Sequence, residues 1–259
     1  MTRSVTPGPV LVLGGTGEAR AVAADLVDAG IDVVSSLAGR VSRPRLPVGA
    51  VRVGGFGGVE GLRTWITDHR CPVVVDATHP FAQQISQNAA RAAEQASVPV
   101  IAVRRPGWEP GPDDRWTMVD DIAAAADTIA ARGGRVFLTT GRQDVGAFAG
   151  IESAWFLIRV VDPPTADLPP HHEILASRGP YDLDSERDLM RQNAIDVVVT
   201  KNSGGELTRA KLIAAAELGI DVVMVRRPAV PHVDLAVATA CEVRPLLQDL
   251  LAGRRTDAR

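Results

Sequence analysis

Short aliphatic runs alternate with longer amphipathic stretches through the first half of the chain. Strands are predicted at residues 10–13, 31–35, 50–53, 73–75 and 98–103. Helices are predicted between them at residues 18–29, 60–68 and 81–95. The strand runs are continuous in Val, Ile and Leu, which is typical of parallel strands buried on both faces. The alternation of strand and helix therefore predicts a doubly wound α/β sheet.

The second half repeats this rhythm after a segment rich in Pro and Gly at residues 106–114. Strands are predicted at residues 116–119, 135–139, 155–161, 173–176, 195–200 and 220–225. Helices are predicted at residues 121–131, 184–192, 207–218 and 241–251, with Asp182 as an N-cap. The whole pattern predicts two Rossmann-like domains with parallel sheets, residues 1–118 and residues 119–259, with a cleft between them.

A glycine-rich turn follows the first predicted strand. Gly14, Gly15 and Gly17 lie within four residues, and a helical pattern starts at Glu18. Glycines let a backbone approach a pyrophosphate closely, and a helix N-terminus attracts its charge. A strict Gly-x-Gly-x-x-Gly does not fit, because Arg20 stands at the third glycine position counted from Gly15. The predicted phosphate-binding residues are Gly14, Gly15, Thr16, Gly17, Glu18 and Ala19; a tight structural turn is the alternative.

The loop after the second predicted strand indicates which dinucleotide binds. An NAD site would place Asp or Glu there to bind the ribose 2′-hydroxyl, and this loop has neither. Ser35, Ser36 and Arg40 could instead hold a 2′-phosphate through hydrogen bonds and charge. The loop therefore favours NADP(H), with an ordinary polar surface loop as the alternative.

Two further loops of the first half carry candidate residues. Phe56 stands among four glycines at residues 54–58, which indicates either close approach to a flat ligand or backbone, or a flexible surface turn. The loop at residues 76–82 ends a buried strand, and we expect it to contact a ligand. His79 in this loop could bind that ligand, transfer a proton, or have a purely structural role.

Three loops of the second half share one chemistry. They follow predicted strands at residues 139–142, 177–181 and 200–205, and each combines hydroxyls or a cation with glycine. Such loops can bind an anionic substrate through Arg, Lys and backbone N–H groups. Ordinary loop chemistry is the alternative for each loop taken singly.

Composition and charge narrow the possible classes of protein. The chain of 259 residues is 46% hydrophobic and 23% charged, and its net charge of −3 gives no field that attracts nucleic acid. Neither a signal peptide nor a membrane-spanning run is found, so we expect a cytoplasmic protein without a membrane partner. Cys71, Cys241, His171 and His172 lack metal-ligand spacing, so no metal is expected.

Taken together, these loops resemble the precorrin-6A reductase family of cobalamin biosynthesis. The matching segments are residues 14–20, 54–58, 76–82, 140–142, 179–181 and 201–205, in the family's order. The resemblance implies a cytoplasmic NADPH-dependent oxidoreductase that reduces one carbon–carbon double bond of the tetrapyrrole precorrin-6A to give precorrin-6B. It also implies two Rossmann-like domains, the first binding NADP(H) and the second contributing to substrate binding, with the active site between them.

The resemblance extends the predicted site. Further cofactor-binding residues would be Gly55, Phe56, Asp76, Ala77 and Thr78. Substrate-binding residues would be His79, Pro80, Phe81, Thr140, Gly141, Arg142, Tyr181, Lys201, Asn202, Ser203 and Gly204. His79 and Tyr181 are the candidate catalytic proton donors, with water or the macrocycle itself as alternatives.

Several alternatives stay open at this point. The substrate could be the cobalt-containing form of the anaerobic branch. The chain could also be another NADPH-dependent reductase of a small molecule, or a module that senses NADP(H). The oligomeric state does not follow from the sequence, and a monomer is compatible with it.

Overall fold

The computed structural model describes residues 8–39 and 45–257, with side chains up to residue 253. Its contacts divide the chain into two compact units. One unit comprises the chain up to Arg105 and from Ala229 onward, and the other comprises Pro106–Pro228. The chain therefore passes from one unit to the other twice.

Strands and helices alternate along the described chain. The strands are β1 (Val10–Leu13), β2 (Val33–Leu37), β3 (Ala50–Val53), β4 (Val74–Asp76), β5 (Val100–Val103), β6 (Trp116–Val119), β7 (Gly134–Leu138), β8 (Ala154–Val160), β9 (His172–Ala176), β10 (Val197–Lys201), β11 (Asp221–Val225) and β12 (Leu235–Val237). The α-helices are α1 (Gly17–Asp28), α2 (Gly58–Asp68), α3 (Gln83–Gln95), α4 (Ile122–Arg132), α5 (Leu183–Gln192), α6 (Ala210–Leu218) and α7 (Val243–Asp257). Short 3₁₀ helices occupy Val145–Phe148, Glu206–Thr208 and Ala240–Glu242.

The first unit is built on a six-stranded parallel sheet with the order β12-β5-β4-β1-β2-β3. Successive side chains of β1 point to opposite faces. Val10 and Val12 belong to a core cluster with residues of α1 and α7. Leu11 and Leu13 belong to another cluster with residues of α2 and α3. Both faces of the sheet are therefore covered, as the continuous apolar runs predict.

The second unit has its own six-stranded parallel sheet, with the order β6-β11-β10-β7-β8-β9. Phe137 of β7, Leu157 of β8 and Val198 of β10 form a core with Leu212 and other residues of α5 and α6. The two sheets confirm the predicted α/β fold class with two Rossmann-like domains. Asp182 caps α5 as predicted, because its side chain accepts a hydrogen bond from the Ser185 N–H.

The division between the units differs from the predicted boundary between residues 118 and 119. Strand β6 pairs with β11 of the second sheet, with Trp116 opposite Val222. Strand β12, which has no counterpart in the prediction, pairs with β5 of the first sheet, with Leu235 opposite Ile101. It has three residues and is only partly buried, so its pattern carries little periodic signal. Residues 106–118 thus join the second unit, and the chain from Ala229 joins the first.

A buried charged cluster lies in the second unit. Arg159 of β8 makes two parallel hydrogen bonds to Glu186 of α5, at 3.0 and 2.6 Å. Its guanidinium also lies over the Tyr181 ring, 4.0 Å from the centroid. Lys211 of α6 is 6% exposed and donates a 2.7 Å hydrogen bond to the Thr208 carbonyl. Both cations are thus held inside the unit, one by a carboxylate and the other by a backbone oxygen.

This cluster predicts a stability that rises with pH. Burial lowers the pKa of Lys211 from 10.5 to about 7, against an opposing contribution from Glu186. From about pH 7 to pH 10 the unfolded chain therefore binds more protons at this residue than the folded chain does, and the free energy of unfolding increases with pH. The substitution Lys211→Met removes this pH dependence. In urea unfolding, the free energy of unfolding of the variant should exceed that of the parent most at pH 7, and the difference should shrink towards pH 10. Parallel pH curves for the two proteins would contradict the burial of a titrating ammonium.

Candidate functional site

Three loops of the first unit meet at Gly14. Its N–H donates to the Ser36 carbonyl at 3.1 Å, and the Ala77 N–H donates to the carbonyl of Leu13 at 3.1 Å. Gly14 has φ +120°, and a Cβ there would lie 2.6 Å from the Ala77 carbonyl oxygen. Only glycine fits, because both the conformation and the space exclude a side chain. The loops after β1, β2 and β4 are thus held together at the carboxyl ends of the strands, where open α/β sheets bind ligands.

Thr16 fixes the start of α1 in this loop. Its Oγ1 accepts a 3.0 Å hydrogen bond from the Ala19 N–H and donates a 2.8 Å hydrogen bond to the Ala77 carbonyl. This is an N-cap that is also tied to the β4 loop. The first N–H groups of a helix have no partner within it, and the helix dipole favours negative charge at this end.

Glu18 is a carboxylate in the first turn of α1, close to where an anion would bind. It forms an ion pair with Arg105, with 2.7 Å between Nη1 and Oε2. Burial works to raise the pKa of Glu18, but a hydrogen bond from its own N–H and the Arg105 charge outweigh that effect and hold the pKa below its usual value. Glu18 is therefore ionised, and Arg105 offsets its charge at this helix end.

The two predicted serines of β2 differ in position. Ser36 is the last residue but one of the strand, in register with Leu13 on one side and Arg52 on the other. Its Oγ accepts a 2.8 Å hydrogen bond from Arg52. Ser35 is inside the strand, and its buried Oγ has no hydrogen-bond partner in the part of the chain that the structure describes. Arg40, the predicted charged partner of these serines, lies outside the described residues.

Arg52 organises the glycine loop that follows β3. It donates hydrogen bonds to the carbonyls of Gly54 and Gly55, at 3.0 and 3.1 Å. Its guanidinium lies 3.6 Å from the centroid of Phe56. One face of the Phe56 ring is therefore covered by Arg52, and the predicted cofactor residues Gly55 and Phe56 are held by a side chain that the sequence analysis did not select.

Asp76 has a structural role that its sequence position does not show. It is 1% exposed, and its Oδ1 accepts hydrogen bonds from the N–H and the hydroxyl of Thr78, at 3.2 and 2.7 Å. Its Oδ2 pairs with Arg104 at 2.7 Å. This carboxylate therefore shapes the loop at Ala77 and Thr78 from within.

His79 begins the second part of the same loop, followed by Pro80 and Phe81. Its Nδ1 accepts a 3.2 Å hydrogen bond from the Phe81 N–H. With Nδ1 as an acceptor, the neutral imidazole carries its proton on Nε2. The side chain is half-buried, and its ring centroid lies 5.9 Å from that of Phe81. The Nε2–H is thus the group through which His79 could donate a proton.

In the second unit, the loops after the adjacent strands β7 and β10 come together. Lys201 at the end of β10 forms an ion pair with Asp144, which the sequence analysis did not select. Thr140 is 7% exposed, and its Oγ1 has no hydrogen-bond partner among the described residues. Gly141 has φ +90° and is followed by Arg142. This edge thus gathers two cationic side chains, a carboxylate and a buried hydroxyl.

Other predicted substrate residues are engaged within the second unit. The Asn202 side chain accepts a 2.7 Å hydrogen bond from the Trp108 N–H and donates one of 3.0 Å to its carbonyl. Arg227 donates to the carbonyls of Asn202 and Ser203. A Cβ on Gly204 would lie 2.1 Å from the Pro106 carbonyl oxygen. These contacts hold the segment from Pro106 to Trp108 against the β10 loop.

Tyr181 lies apart from the β7 and β10 loops in the topology of its sheet. It follows β9, which is separated from β7 by β8. Its hydroxyl donates a 3.2 Å hydrogen bond to the Ser177 carbonyl. The peptide bond between Gly179 and Pro180 just before it is cis. The Tyr181 ring thus lies over Arg159 of β8, and β8 separates β9 from the strand that precedes Thr140.

A repeated tetrapeptide marks arginines that the sequence analysis missed. Val-Arg-Arg-Pro occurs at residues 103–106 and again at 225–228. It ends β5 and β11, which occupy the same position in the two strand orders. Arg104 and Arg105 reach Asp76 and Glu18, whereas Arg227 holds the β10 loop. The repetition itself is the signal that could have identified these residues.

The described residues contain neither a metal-binding cluster nor a membrane-spanning helix. In residues 8–39 and 45–257, no group of three or more His, Cys, Asp or Glu side chains is placed to hold a metal ion. None of the described helices has the length and apolar character that crossing a bilayer requires.

The fold and the strand-end loops define a Rossmann-like α/β protein with a capped glycine turn in its first unit. The sequence matches the family described as precorrin-6x reductase CbiJ/CobK over residues 9–246. The chain belongs to this family, and it is an oxidoreductase.

Individual relatives agree with this assignment. The chain is 55% identical to a precorrin-6A reductase of Rhodococcus erythropolis over 86% of its own length and 90% of the relative's. A solved structure of CobK precorrin-6A reductase is 42% identical, with a TM-score of 0.88 over 94% of this chain and 97% of that one. A cobalt-precorrin-6A reductase of Priestia megaterium is 32% identical over 86% of this chain and 92% of the relative.

The geometry of the glycine turn predicts that alanine substitutions at two neighbouring glycines differ in their effect on stability. Gly14→Ala forces a side chain into a left-handed conformation and against Ala77, so it should cost about 1–3 kcal/mol of unfolding free energy. Gly15→Ala places its Cβ in ordinary contact with Leu37, at 3.5 Å, and should change stability by less than about 0.5 kcal/mol. Urea unfolding of both variants measures this. Equal losses in the two variants would contradict the special role of Gly14.

Proposed function

We propose that this chain catalyses the NADPH-dependent reduction of one double bond in the precorrin-6A macrocycle, giving precorrin-6B. The substrate class is taken from the relatives named precorrin-6A reductase. The observation that carries the cofactor assignment is the capped start of α1 at the junction of β1, β2 and β4. There, Thr16 and Gly14 hold helix N–H groups in a fixed position at the strand ends.

The first unit is the better candidate for the nucleotide. Its β1 leads through the glycine turn into a helix of 12 residues. In the second unit, the strand in the same position, β7, leads into a 3₁₀ helix of four residues. A single short turn has little dipole to offer a pyrophosphate, whereas α1 offers a full one. We therefore assign NADPH to the first unit and the macrocycle to the second.

The residues at the end of β2 favour NADPH over NADH. Ser36 occupies the position where NAD-binding proteins of this fold carry an acidic residue for the 2′-hydroxyl. A serine hydroxyl can donate to a 2′-phosphate, whereas an acidic side chain would repel it. When bound, the reduced nicotinamide supplies the hydride, and the protein supplies position and electrostatics.

The second unit offers donors suited to the carboxylates of the macrocycle. Lys201 and Arg142 carry positive charge, and the buried Thr140 hydroxyl would gain a partner from a bound carboxylate. Asp144 holds the Lys201 ammonium in place. The Lys201–Asp144 pair therefore fixes the direction of a donor at the end of β10, which is a requirement for orienting a large anionic ring.

The proton that completes the reduction can come from His79 Nε2–H. The backbone of Phe81 occupies Nδ1 and so orients the ring. The Tyr181 hydroxyl is the second protein candidate, and it already donates its hydrogen to the Ser177 carbonyl. Water and the macrocycle itself remain alternative donors.

Turnover is the direct test of the proposed activity. NADPH absorbance should fall when the protein is mixed with metal-free precorrin-6A, and more slowly or not at all with the cobalt form. The metal-free form is favoured because the relatives named for it are the more similar ones. Oxidation with the cobalt form alone would place the enzyme in the other branch. NADPH binding without oxidation by either form would contradict the activity.

Lys201→Ala tests the division of roles between the units. Loss of a charged hydrogen bond should raise KM for the macrocycle about tenfold to a hundredfold and leave the Kd for NADPH within about twofold. The double variant Lys201→Ala with Asp144→Ala controls for a carboxylate left without its partner. Arg191→Ala, an exposed change on α5 of the same unit, is the matched control and should alter neither constant. A collapse of NADPH affinity in Lys201→Ala would contradict the assignment.

A further inference from the structure

Arg52 lies at the candidate nucleotide site and is not used in the proposed function. It is in register with Ser36, which is in register with Leu13, the residue directly before the glycine turn. In parallel strands, residues in register share a face, so Arg52 and Ser36 lie side by side at the strand ends. The 2.8 Å hydrogen bond between Arg52 Nη1 and Ser36 Oγ confirms this placement.

The acceptors of Arg52 leave its charge largely unneutralised. Among the residues that the structure describes, they are one hydroxyl and two carbonyls, those of Ser36, Gly54 and Gly55. Three other arginines that are buried or partly buried pair instead with carboxylates: Arg104 with Asp76, Arg105 with Glu18 and Arg159 with Glu186. Burial lowers the pKa of Arg52, as expected for a cation that has lost water. A partly desolvated cation of this kind is stabilised when an anion binds beside it.

The orientation of the guanidinium is also fixed in advance. Phe56 lies against one face, 3.6 Å from the carbon at its centre to the ring centroid. The hydrogen bonds that Arg52 donates to Ser36, Gly54 and Gly55 use three of the five N–H groups of its guanidinium. A planar fork held in this way loses little conformational entropy on binding, and its geometry matches the oxygens of a phosphate.

We propose that Arg52, together with Ser36, binds the 2′-phosphate of NADP(H) and so determines the preference for NADPH over NADH. This inference rests on the proposed nucleotide site. It follows because the end of the second strand is where this fold recognises the ribose 2′ position. Phe56 and the carbonyls of residues 54 and 55 position the guanidinium, and they do not themselves contact the phosphate.

Two nucleotides that differ by a single phosphate test the inference directly. Adenosine 2′,5′-bisphosphate and adenosine 5′-monophosphate are titrated into the full chain by calorimetry. In Arg52→Gln, the affinity for the bisphosphate should fall about tenfold to a hundredfold, the size expected for a lost charged hydrogen bond. The affinity for the monophosphate should change less than about threefold. The ratio of kcat/KM for NADPH and NADH should fall by the same factor as the bisphosphate affinity.

Two further variants separate recognition from loop structure. Ser36→Ala removes only a hydroxyl. It should lower the affinity for the bisphosphate a few-fold, the usual effect of losing a neutral hydrogen bond, and leave the affinity for the monophosphate unchanged. Arg63→Gln removes a partly exposed arginine of α2 that pairs with Glu60 and should leave the affinity for both nucleotides unchanged. Because Ser36→Ala leaves Arg52 in place, it tests the site even if Arg52→Gln is unstable.

The outcomes distinguish this inference from the proposed function. If the parent protein binds both nucleotides equally, the preference for NADPH fails, and the inference fails with it. If the parent prefers the bisphosphate and Arg52→Gln keeps that preference, the inference alone is overturned. Equal losses for both nucleotides in Arg52→Gln would show that Arg52 only holds the loop, and this too would overturn it.

Discussion

The close approach of Gly14 to Ala77 is the contact on which the candidate site depends. A Cβ at Gly14 would lie 2.6 Å from the Ala77 carbonyl oxygen, so the loops after β1 and β4 can pack this tightly only around glycine. The same carbonyl accepts the hydroxyl hydrogen of Thr16, which caps α1. The Gly14 N–H reaches the Ser36 carbonyl and fixes the end of β2. One missing side chain therefore sets the helix start, the β2 end and the β4 loop relative to one another.

The two sheets share a strand order but exchange their sixth strands. Each has five consecutive strands in the order 3-2-1-4-5, namely β1 to β5 in one and β7 to β11 in the other. The next strand along the chain would complete its own sheet in a simple repeat. Instead β6 joins β11 and β12 joins β5. Both strands are parallel to their neighbours, so either sheet offers the same hydrogen-bonding edge. This exchange explains why a boundary drawn along the sequence does not match the structural units.

Local pattern predicted the elements well and the partners poorly. The run at residues 10–13 is β1, and Asp182 caps α5, because burial on both faces and capping depend on adjacent residues. By contrast, β12 is short and partly exposed, and its assignment depends on β5, far away in sequence. Asp76 looks like a ligand-binding residue from its position after a strand, but Arg104 and Thr78 occupy its carboxylate. The sequence around Arg52 does not mark it as a ligand-binding residue, because its proposed role depends on its contact with Ser36 on the neighbouring strand.

The charge pairing separates the cations of the candidate loops in the two units into two kinds. Arg104 and Arg105 pair with carboxylates, and Lys201 pairs with Asp144, so these groups contribute direction more than net charge. Because Asp144 offsets its charge, the Lys201 ammonium can donate a hydrogen bond to a carboxylate but attracts distant anions only weakly. Arg52 has neutral acceptors and keeps its positive potential at the end of β2. In a chain with a net charge of −3, attraction for a highly charged nucleotide must come from such local positions. We propose the helix start and Arg52 as these positions.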